Sequence, residues 1–582
     1  MNYSSTIPII LRLLLAGSLA AVIGSTSADS DDSNSTSARN VIQEHLDITQ
    51  YDGPETCIAC HDQEAHDALN SLHMKWSAPT PNLSNDDGTS IGKQDRAINT
   101  FCSYAPSSKG ACYGCHVRAD GNAGHEPDVN DVDCLMCHND TYQRTFVMDF
   151  DNPVTAEKID GTTQDYFFGL QDPVTGDYTT VPDYSKMPEG TTMVELAQNV
   201  HQPTRKSCLR CHAKAGGGDW TKRGDMGLNS AAPTVHEDIH MSPDAGGQDM
   251  SCVDCHQAQN HKMGGRGIDL RNGEIEAPKC TDFHNAAPHD DNKLNQHAQG
   301  QVACQTCHIP EFGKGGATEM SRDWLQPHWN PAFCNGQGGF VGHEIKLANV
   351  KPEYRFFDGT SYVYNVGETI APGEGGEDGV YNMARANGSI FDGKSQIVPI
   401  KNHYSVMPLN DATQEIIPPE IMQMFMTGDF DNAVQAGMAN AGYEGSYTMV
   451  PVNAEMLITH GVGPDDTALS CNDCHAGDGQ TPDGSKRIPF AELGYHQWPS
   501  KVEECTLCHD KEEDGDWKRM HEKHKKKDVS CTSCHTSEPT GLVEAEETLC
   551  LECHDRESED SLAKVHEKHT KENIACIQCH SF

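Results

Sequence analysis

The sequence predicts a mainly α-helical chain with extensive loop and little β-structure, and three observations carry that expectation. One pentapeptide, Cys-x-x-Cys-His, recurs eleven times and takes up 22 of the 25 cysteines. The apolar fraction is 36% and the aromatic fraction 7%, slightly low for 582 residues that must build a conventional core. The copies are unevenly placed: six lie between 57 and 308, none between 309 and 470, and five between 471 and 580.

The pentapeptide is the attachment signal for c-type haem. Two thiols three positions apart each form a thioether with one vinyl group of the same porphyrin, and the adjacent imidazole is held under the iron as its proximal ligand. Cysteine pairs of this spacing also bind zinc, but zinc has no need of His at the next position, and eleven recurrences exclude that coincidence. The sets are Cys57, Cys60 and His61; Cys112, Cys115 and His116; Cys134, Cys137 and His138; Cys208, Cys211 and His212; Cys252, Cys255 and His256; Cys304, Cys307 and His308; Cys471, Cys474 and His475; Cys505, Cys508 and His509; Cys531, Cys534 and His535; Cys550, Cys553 and His554; and Cys576, Cys579 and His580. The expected fold class is therefore a multihaem cytochrome c, its core built of stacked, covalently bound haems that replace much of the Leu and Phe a core otherwise needs.

Around this core the chain divides as follows. Residues 1–28 read as a signal peptide: an apolar run from Leu13 to Ile23 follows Arg12, is too short to span a bilayer, and ends in small residues at Ala28. An uncleaved anchor is the other reading. Residues 29–40 are polar enough for a disordered linker. No other stretch is long and apolar enough to cross a membrane, so the mature chain is expected to be exported, periplasmic or extracellular, with no transmembrane segment. The net charge of −43 argues against nucleic acid or an anionic membrane as partner. Redox proteins, quinol-linked donors or other cytochromes, are the expected partners, and the basic run Lys518–Lys527 is either a docking patch for an acidic one or a solvated helix face. The stretch 309–470, rich in Gly, Asn and Pro, is expected to wrap the haem core as loops and short helices.

The C-terminal module, 476–582, contains a duplication: 505–535 and 550–580 repeat the same dihaem pattern at an offset of 45 residues. Each copy holds HEKH, with His521 and His524 in the first and His566 and His569 in the second. Three positions apart on a helix, the two imidazoles share a face, which supplies one distal ligand per haem; surface histidines are the bland reading. By the same count His496 is left for the haem at Cys471. Cys280 heads CTDFH, an attachment motif in which Phe283 replaces the second Cys while His284 remains. One thioether and one imidazole suffice for a twelfth haem; the other reading is a lost haem and a free or disulfide-bonded Cys280.

Residues 41–475 resemble the octahaem tetrathionate reductase family. The matching segments are VDCLMCHNDTYQ at 132–143, PTRKSCLRCHAKAGGGDWTKRGD at 203–225, HKMGGR at 261–266, VACQTCHIP at 302–310 and THGVGPDDTALSCNDCH at 459–475. With the damaged motif, eight sites fall in this range, the family's number. The resemblance implies one active-site haem, second in sequence and open on one side to small oxyanions or nitrogen species, here that of Cys112, Cys115 and His116. It assigns to its surroundings Asn99 and Cys102 in NTFC, Asp219 and Lys222 in GGGDWTK, and Lys314 after CHIP. Lysines there would attract an anion and donate hydrogen bonds or protons, and Cys102 is either a thiol for sulfur chemistry or a disulfide partner of Cys334. The characterised reductase carries Lys where this chain has His116, so the substrate is not carried over. Two functions follow: a reductase of tetrathionate, nitrite, hydroxylamine or a similar species, fed through the tail, or a conduit in which every iron has two histidines.

Overall fold

The computed structural model describes residues 44–475, apart from 76, 87, 89, 93–95, 97, 102, 105–116, 118–126, 172, 174–177, 179, 266–274 and 371–378, together with 488, 489 and 493. The expectations for the leader, the linker, Cys102, Cys112, Cys115, His116, His496 and the tail with its HEKH segments lie outside the described residues.

The attachment motifs sit on short helices: α1 (Pro54–Leu69), α2 (Leu135–His138), α3 (Arg205–His212), α4 (Cys252–Cys255) and α5 (Cys304–His308), with a single 3-10 turn at Cys280–Asp282. One helical turn is enough to bring both thiols and the histidine to one side, and local chemistry starts each turn at the required place. Pro54 takes the first position of α1, where its missing N–H costs nothing. Thr204 Oγ1 accepts from the amides of Lys206 and Ser207 at 3.1 and 3.4 Å and so opens α3. Before α4, Ser251 Oγ accepts from Val253 N at 3.3 Å while the Asp254 carboxylate accepts from Ser251 N at 2.6 Å.

The expectation of a mainly α-helical chain with little β-structure, its haem-free stretch wrapping the core as loops and short helices, is overturned. After a small hairpin, β1 (Ile98–Asn99) and β2 (Ser103–Tyr104), the haem-free stretch forms a seven-stranded sheet from β3 (Thr318–Asn330), β4 (Gly339–Leu347), β5 (Glu353–Phe357), β6 (Ser361–Val363), β7 (Tyr381–Ala386), β8 (Gln396–Asn410) and β9 (Tyr447–Leu457). The order is β4-β3-β8-β9-β7-β6, with β5 also paired to β8. Strand β8 is the spine: it runs antiparallel to β9 from Ile400↔Leu457 to Asn410↔Tyr447, parallel to β3 at Ser321↔Tyr404, and antiparallel to β5. Residues 397–403 of β8 are all buried, so both its faces are covered and the sequence shows no in-out alternation. Pro399 and Pro408 within it further disguise it as loop.

Helices α6 (Ile421–Thr427) and α7 (Phe430–Ala441) cover one part of the sheet, burying Ile421, Met424, Phe430 and Val434 against Trp324, whose ring stacks on Phe430 with centres 6.1 Å apart. The turn between them passes through Gly428 at φ 77°, where a Cβ would stand 2.8 Å from the Phe340 ring. Elsewhere Ile98 of β1 packs with Tyr364, Tyr381, Met407 and Val452, laying the small hairpin onto the sheet. The motif helices hang from the same sheet: Ala303 N and Thr306 Oγ1 both donate to Ile397 O, at 3.0 and 2.6 Å. The last described motif, α8 (Cys471–His475), is tied to α5 through Leu469 N and Cys307 O at 2.9 Å. Among the described residues no helix is long and apolar enough to cross a membrane.

Candidate haem sites and the segments around the Cys112 motif

Among the described residues, six attachment histidines each face a second histidine across a gap of nearly constant width. The ring centres are 5.9 Å apart for His61 and His45, 6.2 Å for His212 and His73, and 6.4 Å for His138 and His261. They are 6.1 Å apart for His284 and His240, 6.0 Å for His256 and His460, and 6.0 Å for His308 and His289. Two imidazoles bound to opposite faces of one metal ion hold their ring centres about 6 Å apart, since each metal–nitrogen bond is about 2 Å and each nitrogen lies roughly 1 Å from its ring centre. Direct contact would bring the rings closer, and unrelated histidines would not repeat one spacing six times. The donor set thus fits bis-histidine haem, and it does so at the CTDFH motif as at the five intact ones.

Hydrogen bonds at Nδ1 orient these rings and leave Nε2 for the iron. His138 Nδ1 bonds to His201 O at 3.0 Å and His256 Nδ1 to Gly264 O at 2.5 Å. His460 Nδ1 donates to Asp225 Oδ2 at 3.0 Å, and the same carboxylate oxygen accepts from the amides of Thr459 and His460 at 2.9 and 3.1 Å. Burial favours the uncharged Asp225 carboxyl, but the Arg223 charge and the His460 bond outweigh it and hold the group well below the ordinary carboxylate range. Burial likewise opposes the charged form of His460, and Asp225 reverses the direction and raises its pKa. Burial pushes His45, His138, His256 and His308 down, which keeps them in the neutral form that binds metal.

The sites form a connected series. The sulfur atoms of Cys57 and Cys134, of Cys208 and Cys252, and of Cys280 and Cys304 lie close together in pairs, which places the attachment edges of paired motifs side by side. Cys137 neighbours Cys208, and Cys307 neighbours Cys471. The loops carrying His240 and His460 are joined by Ile239 N to Val462 O and by Gly461 N to Asp238 Oδ2, both 2.8 Å. One cavity of ≈ 3600 Å³ runs past these motifs, lined by Cys137, Cys211, Cys255, Phe283, Cys307 and Cys474 among others. A pocket for one ligand is about 300–1,000 Å³, so this space suits several macrocycles. Among the described residues no group of three or more His, Cys, Asp or Glu side chains converges as a tetrahedral zinc site requires.

The residues assigned to the Cys112 site are only partly brought together. Asn99 ends β1, and the turn after it carries Thr100 and Phe101, both buried. Phe101 and Lys222 line the large cavity, Lys222 being 6% exposed. Asp219 is exposed and accepts from Leu228 N at 2.9 Å, outside that cavity. Lys314 lies in a separate small pocket, donating to His236 O at 2.9 Å, and burial lowers its pKa. The turn at 216–222 depends on its glycines: Gly216 and Gly217 have φ of 84° and 106°, and Trp220 fills the space where Gly227 and Gly316 lack a Cβ. The six distal histidines, His45, His73, His240, His261, His289 and His460, were not assigned from sequence.

A solved octahaem cytochrome c from Shewanella oneidensis matches with 27% identity and a TM-score of 0.60, over 78% of this chain and 97% of that one. The chain is similar to multihaem c-type cytochromes. The family model "Cytochrome c bacterial" matches residues 328–478. An uncharacterized protein of Archaeoglobus fulgidus is 24% identical over 272 residues, 40% of this chain and 83% of that protein. This similarity supports haem c as cofactor and electron transfer as activity.

Proposed function

We propose that the chain is an exported electron carrier of twelve haems with a reductase-type site at the Cys112 motif. The observation that carries this reading is the pairing of histidines. When bound, the haems supply one-electron redox chemistry, and an iron between two histidines has no position left for substrate. The pairs His45/His61, His73/His212, His138/His261, His240/His284, His256/His460 and His289/His308 therefore assign six sites to electron transfer. The eight sites between 57 and 475 match the haem number of the octahaem cytochrome from Shewanella oneidensis. Cys280 would hold this haem through a single thioether, with Phe283 standing where the second attachment cysteine is found in the intact motifs.

The connected order 57, 134, 208, 252, 280, 304, 471 gives electrons a route through the chain from the Cys471 motif, which precedes the tail in sequence. Val117, which follows the Cys112 motif in sequence, accepts through its carbonyl from Asp133 N, next to Cys134, at 2.9 Å, near the end of that order away from 471. Lys222 supplies a polar group for a small oxyanion or nitrogen species: tetrathionate, nitrite or hydroxylamine are the substrates to try. The same continuity favours a second reading, a pure conduit.

Low-temperature electron paramagnetic resonance of the oxidised protein, with a haem count by mass spectrometry, separates the two. The reductase reading expects twelve haems and a high-spin signal that changes when one of these substrates is added. Low-spin signals alone would leave the conduit.

A further inference from the structure

Arg223 holds a buried donor that the described residues leave unused. Its Nε is buried and has no hydrogen-bond partner among them. The neighbouring carboxylate does not take it: Asp225 Oδ1 stands 3.7 Å away, and Oδ2 already accepts from His460 Nδ1 and the amides of Thr459 and His460. A charged donor withdrawn from water and left unpaired costs free energy, so this one asks for an acceptor brought by a bound group. Arg223 lines the large cavity, as do Cys252, His256 and His460.

The main chain on either side of Arg223 is fastened to the sheet. Lys401 on β8, 0% exposed, donates from Nζ to Thr221 O, Lys222 O and Thr318 Oγ1 at 2.8, 3.0 and 2.7 Å. Thr318 Oγ1 passes its own hydrogen to Arg223 O at 3.2 Å, so it accepts from Lys401 and all three ammonium hydrogens are used. Gly313 N donates to Gly224 O at 2.7 Å. Lys401 belongs to a buried polar cluster in which His403 Nε2 lies 3.1 Å from Glu319 Oε1, His403 Nδ1 lies 2.7 Å from Thr100 Oγ1, and Glu319 accepts from Arg322 at 2.7 Å. Residues 221–224 are thereby held at the cavity wall by the strands behind them.

Arg223 stands beside one haem site in particular. Its charge opposes protonation of both His256 and His460, whose ring centres are 6.0 Å apart. The attachment thiols feel other fixed charges, Cys252 that of Arg205 and Cys255 those of Asp254 and Asp238. Arg223 is therefore next to the gap between the two rings and away from its thioether edge. A c-type haem carries its two propionates on the edge opposite the thioethers, and a guanidinium fork matches a carboxylate.

We infer that Arg223 binds a propionate of the haem held by Cys252, Cys255 and His256, and that Arg223 and Asp225 set the potential of that iron in opposite directions. Asp225, through His460, favours the oxidised iron; the cation of Arg223, which also offsets a propionate charge, favours the reduced one. The inference rests on the pairing of His256 with His460 about one iron, and it gives the haem-free stretch a role as the frame behind a haem-binding residue.

The test is Arg223→Gln in the full-length holoprotein. Its readouts are a redox titration followed by paramagnetic resonance and the propionate bending band in resonance Raman spectra. The haem is identified by the low-spin signal that His460→Gly converts to high spin. In Arg223→Gln the reduced-to-oxidised ratio of that haem at a fixed potential is expected to fall about tenfold, a shift of about 59 mV for one electron, with a change in the propionate band. Arg223→Lys, which keeps the charge and loses the fork, is expected to restore most of the midpoint. An unmoved midpoint in Arg223→Gln would overturn the inference. So would a lowered midpoint with an unchanged propionate band, which makes Arg223 only a charge acting on the two imidazoles. If His460→Gly leaves every low-spin signal in place, the pairing itself fails; a converted signal with an unmoved Arg223→Gln midpoint rejects the Arg223 contact alone. Should Arg223→Gln lose haem, Arg223→Lys is read by the propionate band, a change supporting the contact and an unchanged band overturning it.

Discussion

Around the attachment motifs the chain is a set of separate helices, several of a single turn, and facing histidines about a cavity of ≈ 3600 Å³, whereas residues 318–457 close on Trp324, Ile421, Met424, Phe430 and Val434 in the ordinary way. The difference shows how one chain uses two kinds of core. In the first, side chains are spaced for a macrocycle between them, and the aromatic content stays low. In the second, apolar side chains meet directly, and the strands hold a buried polar cluster that meets the first region at Thr100, Phe101, Thr221 and Lys222.

If the two regions are stabilised independently, a cavity in the sheet should cost stability and leave iron ligation alone. Trp324→Ala, in a position 1% exposed, is expected to lower unfolding stability by about 3–5 kcal/mol, measured by denaturant titration. Its low-spin haem spectrum should match the wild type, and a changed spectrum would show that the sheet core sets the haem sites directly.

The next effect is a pH dependence at the junction. His403 titrates near 6.5 when unfolded and at about 4 when folded. Between these values the unfolded chain binds the extra proton, so stability falls as the pH drops from about 6.5 to about 4 and is undiminished above. The full effect is on the order of 3 kcal/mol. His403→Gln should flatten that part of the stability–pH curve relative to the wild type, and an unchanged slope would remove His403 from the account.

Within the haem-lined region, Asp225→Asn deprives His460 of its charged acceptor. Expected are a loss of about 1.5–3 kcal/mol and a higher midpoint potential for one haem, because a less basic imidazole favours the reduced iron; redox titration reads the latter. The smallest effect is that of Thr204→Ala, which removes the cap of α3 and should cost about 1 kcal/mol with no change in haem count.

The attachment sites were legible because they are local: five residues on one turn specify thiols and proximal ligand together. Their distal partners were not, since His45 and His61 are close in sequence while His256 and His460 are far apart, and only folding pairs them. The damaged motif at Cys280 left two readings open, and the histidine that faces His284, His240, lies on another loop. The sheet escaped notice for a different reason. With both faces of β8 covered and prolines inside it, Gln396–Asn410 shows neither alternation nor an unbroken apolar run, and the Gly, Asn and Pro content of its surroundings reads as loop. Of the segments assigned by resemblance, Phe101 and Lys222 line one cavity, whereas Asp219 and Lys314 lie elsewhere.

The central claim is that the facing histidines share one iron each, and paramagnetic resonance of the oxidised protein tests it through ring orientation. The His289 and His308 rings are nearly parallel, at 11°, and those of His73 and His212 nearly perpendicular, at 80°. Parallel imidazoles give a rhombic low-spin signal and perpendicular ones a strongly anisotropic signal with a single large g value. His289→Gly should therefore remove one rhombic signal and His73→Gly one large-g signal, each replaced by a high-spin signal with the haem count unchanged. A spectrum unaltered by either substitution would contradict the pairing.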